Sequence, residues 1–173
     1  FKTRLTASVG SPTIFEGYDL KADDAIQFLP KGGGLLLDLM TARQTHKLAA
    51  YMIKSPKCRS FCFTLFTFDL DEIVDSTVEG VVKYGTEATF FIDRQSALGG
   101  QTKNTKDCLS RMMGKCKGVQ IMLVDGKNIQ AAYREVGRSV PSAKRKQHSK
   151  TLLVECDHGE VYLFVGSTNW TVS

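Results

Sequence analysis

His148 and Lys150 stand two residues apart and lead into the apolar run 152–154; a second apolar run, 161–165, leads into Gly166-Ser167-Thr168-Asn169-Trp170-Thr171. In an extended strand, side chains two apart share a face. His148 and Lys150 would then point one way, and Ser167 and Asn169 would point together as well. Imidazole titrates near neutrality and can serve as nucleophile or proton carrier. The lysine ammonium is a compact positive charge, and an asparagine amide can donate to a non-bridging oxygen. A group of this kind suits a phosphate. Each pair alone arises by chance; their order, flanking two apolar runs, gives the combination its weight.

The two segments resemble the His-x-Lys and Gly-Ser-x-Asn signature of the phospholipase D superfamily of phosphodiesterases, matched here by His148, Lys150, Gly166, Ser167 and Asn169. Glu155 stands where that family carries Asp, and ten residues separate it from Gly166. Cys156-Asp157-His158-Gly159 reads as a hairpin turn that takes up the extra length. Asp157 is a second candidate for the acidic position.

The resemblance implies a two-step cleavage of a phosphodiester with no metal and no cofactor. One histidine attacks phosphorus and becomes a phosphohistidine. A second histidine, from another copy of the motif, protonates the leaving oxygen and then activates water. Lys150 and Asn169 would hold the phosphoryl oxygens, with Ser167 and Glu155 in support; Glu155 falls on the opposite side of its strand from Lys150 and is expected in a structural ion pair. One motif per chain implies a homodimer with a shared active site on its two-fold axis. Family members also carry an acidic partner for the histidine downstream of Gly-Ser-x-Asn. Here the sequence reaches Ser173 first, so the domain is expected to be C-terminally incomplete.

The resemblance covers both nucleases and enzymes of lipid degradation. A net charge of +5 and a pI of about 9.0 favour a polyanionic partner. No apolar run approaches the roughly 18–20 residues that span a bilayer, and no signal peptide is legible. Nucleic acid is therefore the expected partner. Anionic phospholipid, with a phospholipase or cardiolipin-hydrolase activity, is the alternative, and so is a catalytically silent nucleic-acid-binding or dimerisation module. Lys144, Arg145 and Lys146 directly precede the motif. Such a run is commonly a solvated loop, but its position makes it a candidate clamp on a phosphate backbone.

The remaining chain must position these groups. With 42% hydrophobic and 24% charged residues among 173, it can bury the core of one domain. Helical periodicity runs over 35–54, over 71–84 with Val74, Val78, Val81 and Val82 on one side, and over 104–117 with Cys108, Leu109, Met112, Met113 and Cys116. Strand-like runs cover 60–68, apolar on both faces, then 88–92 and 119–124. This alternation predicts an α/β fold, a mixed sheet flanked by helices on both faces, in residues 35–173. Residues 1–34 read as an extension, with Gly32-Gly33-Gly34 as a hinge. No Gly-Lys-Ser/Thr follows these glycines, so they are not read as a nucleotide loop.

Cys58, Cys62, Cys108, Cys116 and Cys156 include no Cys-x-x-Cys pair, and an odd number leaves one thiol over. Reduced structural thiols are expected, which favours an intracellular compartment. His46 lies on the apolar side of the first helix and is read as a core residue. His158 falls in the hairpin turn. Asp69, Asp93 and Asp125 follow strands as loop starters and are left out of the site.

Overall fold

The structure is a computed structural model that describes Ile14 and residues 26–28, 35–37, 42–98, 103–124, 149–166 and 169–171. Two short strands, β1 (Ile26–Phe28) and β2 (Leu35–Leu37), pair antiparallel with Ile26 opposite Leu37. Then come α1 (Ala42–Ile53), β3 (Cys58–Leu65), α2 (Asp71–Tyr84), β4 (Glu87–Asp93), α3 (Arg94–Leu98), α4 (Lys103–Lys115) and β5 (Val119–Val124). β6 (Thr151–Cys156) and β7 (Val161–Val165) complete the described elements.

Five strands form one sheet in the order β5-β4-β3-β6-β7. β3, β4 and β5 run parallel, β6 runs antiparallel to β3, and β7 antiparallel to β6. This is the mixed sheet flanked by helices that the alternating pattern predicts. Strand alternation sets its inner face: Phe61, Phe63, Leu65, Ala88, Phe90, Ile92, Leu152, Val154, Tyr162 and Phe164 are all buried. They form one core with Leu48, Met52 and Ile53 of α1, Ile73 and Val74 of α2, and Leu109 and Met112 of α4. Phe63 stacks on Phe90 at 5.2 Å and meets Trp170 edge-on at 4.9 Å. Each such ring removed from water contributes about 1.5–3 kcal/mol.

The opposite face is different. Ser60, Cys62 and Thr64 of β3 are only half-buried, as are Thr89 and Leu153 beside them. The run 60–68 was expected to be buried on both faces, and this corrects it. Its phenylalanines at 61 and 63 share the inner face, while smaller residues alternate onto the outer one. The helix expected over 35–54 is also shorter. Leu35–Leu37 pairs with β1, and the helical spacing of buried Thr45, Leu48, Ala49, Met52 and Ile53 begins only in α1. Val82 and Met113, placed on buried stripes, are 65% and 63% exposed. The inner stripe of α2 runs instead through Ile73, Val74, Thr77 and Gly80.

Local signals fix the helix ends. Asp71 and Glu72 sit in the first turn of α2, where they favour the helix dipole. Gly85 ends α2 at φ 72°, a left-handed conformation that costs glycine little. α3 was not expected. Asp93 opens it, its Oδ1 accepting the Ser96 N–H at 3.0 Å. The β6–β7 turn at Asp157–Gly159 is the expected hairpin connection, with Gly159 at φ 79°. All five cysteines are free thiols. Cys58 lies opposite Cys156 across β3 and β6, and burial, helped by Asp157, pushes the Cys58 thiol up to about 12.

Candidate functional site

The parallel strands β3, β4 and β5 end on one edge of the sheet. Because β6 is antiparallel to β3, its first residue, Thr151, lies beside Thr64 near that edge. Thr151 is also opposite Val165, the last residue of β7. The start of β6 and the end of β7 therefore meet where β3 ends. Loops at the carboxyl ends of parallel strands are the usual place for ligands in such sheets.

Lys150 immediately precedes β6. It is 5% exposed, on the same parity as inward-facing Leu152 and Val154. Burial lowers its pKa from the ordinary lysine value. Its Nζ lies 5.8 Å from the centre of the Phe66 ring, just past the end of β3. The Gly166 N–H donates to the Lys150 carbonyl at 3.3 Å. Main-chain pairing thus joins the end of His-x-Lys to the start of Gly-Ser-x-Asn. The Thr64 and Thr151 hydroxyls hydrogen-bond each other on the outer face.

Asn169 is exposed, and Trp170 beside it is 3% exposed. Trp170 pairs with Phe68 as a parallel bridge, and the Asp69 N–H donates to the Trp170 carbonyl at 3.0 Å. Phe68 is held in turn by its own N–H, which donates to Thr105 Oγ1 at 3.1 Å. The Asn169-Trp170 segment is therefore tied to the loop that follows β3. Asp69 and Asp93 serve that scaffold, the first through its backbone and the second by opening α3.

Its place on the apolar side of α1 makes His46 a core residue. It is buried, but its Nε2 lies 3.2 Å from the main-chain oxygen of Asn169. Its ring lies 5.2 Å from that of Trp170. Burial lowers its pKa, against the opposing effects of the Asn169 carbonyl, Glu72 and Asp69. No local signal could have found this contact, which spans 123 positions.

Glu155 points to the face opposite Lys150, as strand alternation requires. It accepts a hydrogen bond from Ser60 Oγ at 2.8 Å; among the described residues this replaces the expected ion pair. It lies five residues along β6 from Lys150, about 16 Å at strand rise. Asp157, the other acidic candidate, is exposed in the turn beyond it, where its N–H donates to the Lys57 carbonyl. His148, Ser167, Lys144, Arg145, Lys146 and Asp125 lie outside the described residues. Among the described residues no three His, Cys, Asp or Glu side chains converge to hold a metal ion, and no helix is long and apolar enough to cross a membrane.

No protein-family model matches the chain, and no curated protein matches it. Solved structures do show similarity. NucT from Helicobacter pylori aligns with a TM-score of 0.49 and 15% identity, over 75% of this chain and 72% of its own. Nuc from Salmonella typhimurium, a phospholipase D family member, aligns with a TM-score of 0.42 and 16% identity, over 69% of this chain and 73% of its own. Yeast tyrosyl-DNA phosphodiesterase aligns with a TM-score of 0.43 and 14% identity, over 71% of this chain and 24% of its own. The chain spans about a quarter of the length of that yeast protein.

Proposed function

We propose that this protein is a metal-independent phosphodiesterase of the phospholipase D superfamily and that its substrate is nucleic acid. The observation that carries the reading is the pairing of Gly166 N–H with the Lys150 carbonyl. It supports one site built from both halves of the motif, with a buried lysine on one side and Asn169 on the other.

In the proposed reaction His148 of one copy attacks phosphorus. A phosphorus–nitrogen bond forms as the ester bond to the leaving oxygen breaks. The protonated His148 of a second copy gives its proton to that oxygen. Now neutral, it takes a proton from water, whose oxygen attacks phosphorus and releases the first histidine. Lys150 and Asn169 bind the non-bridging oxygens as charge develops on them. Ser167 assists there, and Lys144, Arg145 and Lys146 bind the flanking backbone. Two copies complete one site, so the active form is a homodimer.

The net charge of +5 supports nucleic acid over a neutral ester. Replacing Lys144, Arg145 and Lys146 together with Ala should weaken DNA and RNA binding irrespective of sequence. The slope of log affinity against log salt should flatten by about 0.9 for each duplex phosphate that is no longer neutralised. Hydrolysis of bis(p-nitrophenyl) phosphate, too short to reach these residues, should not change. If the triple variant bound nucleic acid normally but released cardiolipin-rich vesicles, the substrate would be anionic phospholipid instead.

A further inference from the structure

We infer that His46 is a positioning residue for Asn169: its Nε2–H donates to the Asn169 main-chain carbonyl and fixes the direction in which the Asn169 amide presents itself to a phosphate. The inference rests on the phosphate-site reading proposed above and extends it to a helix that the motif does not include.

Several interactions set the path of residues 169 and 170. The Asp69 N–H holds the Trp170 carbonyl at 3.0 Å, and Phe68 pairs with Trp170. Phe63 meets the indole edge-on at 4.9 Å. All of these act on Trp170. Among the described residues only His46 holds the carbonyl of Asn169 itself, at 3.2 Å. Neighbouring side chains on an extended chain point to opposite sides. With the indole buried and the preceding carbonyl fixed, the Asn169 side chain is directed outward, where it is exposed.

The chemistry of the hydrogen bond specifies the tautomer. A carbonyl oxygen only accepts, so Nε2 must carry the proton. His46 is 8% exposed and its ring lies 5.2 Å from Trp170. A phenylalanine could fill that volume but could not donate. A glutamine places an amide N–H close to the Nε2 position.

The test compares wild type, His46→Phe and His46→Gln in the full chain, with inorganic phosphate as the probe. Binding is followed by the Asn169 backbone and side-chain amide signals in 15N NMR. His46→Phe should bind phosphate up to about tenfold more weakly, the effect of removing one neutral hydrogen bond from the neighbouring backbone. Its Asn169 signals should shift, and His46→Gln should recover most of both. In wild type, the His46 ring should show a protonated Nε2.

Full-strength phosphate binding by a folded His46→Phe would overturn the inference, as would a His46→Gln no better than His46→Phe. A wild-type ring protonated at Nδ1 alone would overturn it even if neither variant folded. These readouts need no turnover. A wild type that hydrolysed no phosphodiester, yet lost phosphate affinity in His46→Phe and regained it in His46→Gln, would sink the phosphodiesterase reading and leave the positioning role standing.

Discussion

Lys150 is a charged group held inside the fold. It is buried, and burial disfavours its charged form, so its pKa is lowered. A base whose folded pKa is depressed makes folding less favourable as pH falls through that value. Burial by itself therefore weighs against the charged lysine at neutral pH; in the proposed reaction that charge meets a phosphate. Lys150→Met keeps the aliphatic stem and removes the charge. Its denaturation midpoint at pH 7 should be unchanged or higher than wild type, while kcat for a small phosphodiester should fall about 10²–10³-fold, as when one donor to a developing oxyanion is removed. In wild type, phosphate affinity should fall on the alkaline side at a pH below the ordinary lysine value of 10.5. A Lys150→Met enzyme with undiminished kcat would remove Lys150 from the chemistry. The candidacy of Lys150 was legible because its residue type and its two-residue spacing from His148 carry information. His46 was not, because its partner is a backbone carbonyl, and every residue type supplies one of those.

At the scale of elements, the legible parts were those with a clean period and a marked end. α2 matches the expected 71–84 because acidic residues open it and Gly85 closes it. β5, β6, β7 and their turn follow from apolar runs separated by Gly and Asp. The structure departs from the sequence pattern where apolar residues are dense enough to fit two periods. Leu35–Leu37 fits a helix or a strand equally well, and only its pairing with β1 decides. In β3 the phenylalanines masked the alternation of Cys62 and Thr64 onto the half-exposed face. Two glycines of α2 separate packing from backbone conformation. A Cβ on Gly80 would lie 2.6 Å from the Ile53 carbonyl oxygen, where α2 crosses the end of α1. Gly80→Ala should therefore cost about 1–3 kcal/mol through overpacking. Gly85 has open space around it but sits at φ 72°, so Gly85→Ala should cost about 1–2 kcal/mol through conformation alone. Urea denaturation checks both. A Gly80→Ala midpoint equal to wild type would contradict the tight packing of α1 on α2.

For the molecule as a whole, the sheet topology brings the two motif segments together. β6 and β7 are adjacent antiparallel strands, so the residue before β6 and the residue after β7 must meet at one edge. β6 is antiparallel to β3, with Thr151 opposite Thr64, so the same edge also receives the loop that carries Phe66, Phe68 and Asp69. The motif and its hairpin were readable from residues 148–171, whereas the support from α1 and the β3–α2 loop arises only when the chain closes on itself. The proposed activity is hydrolysis of phosphodiesters at this edge, with His148 and without a metal. The most direct measurement is turnover of bis(p-nitrophenyl) phosphate in EDTA by wild type and by His148→Asn, together with mixtures of their subunits. Wild-type turnover should be indifferent to EDTA, His148→Asn should show none with its fold intact, and mixtures should fall below the fraction of wild-type subunits because each site needs two imidazoles. Turnover that EDTA abolished and a divalent ion restored, or that survived in His148→Asn, would contradict it.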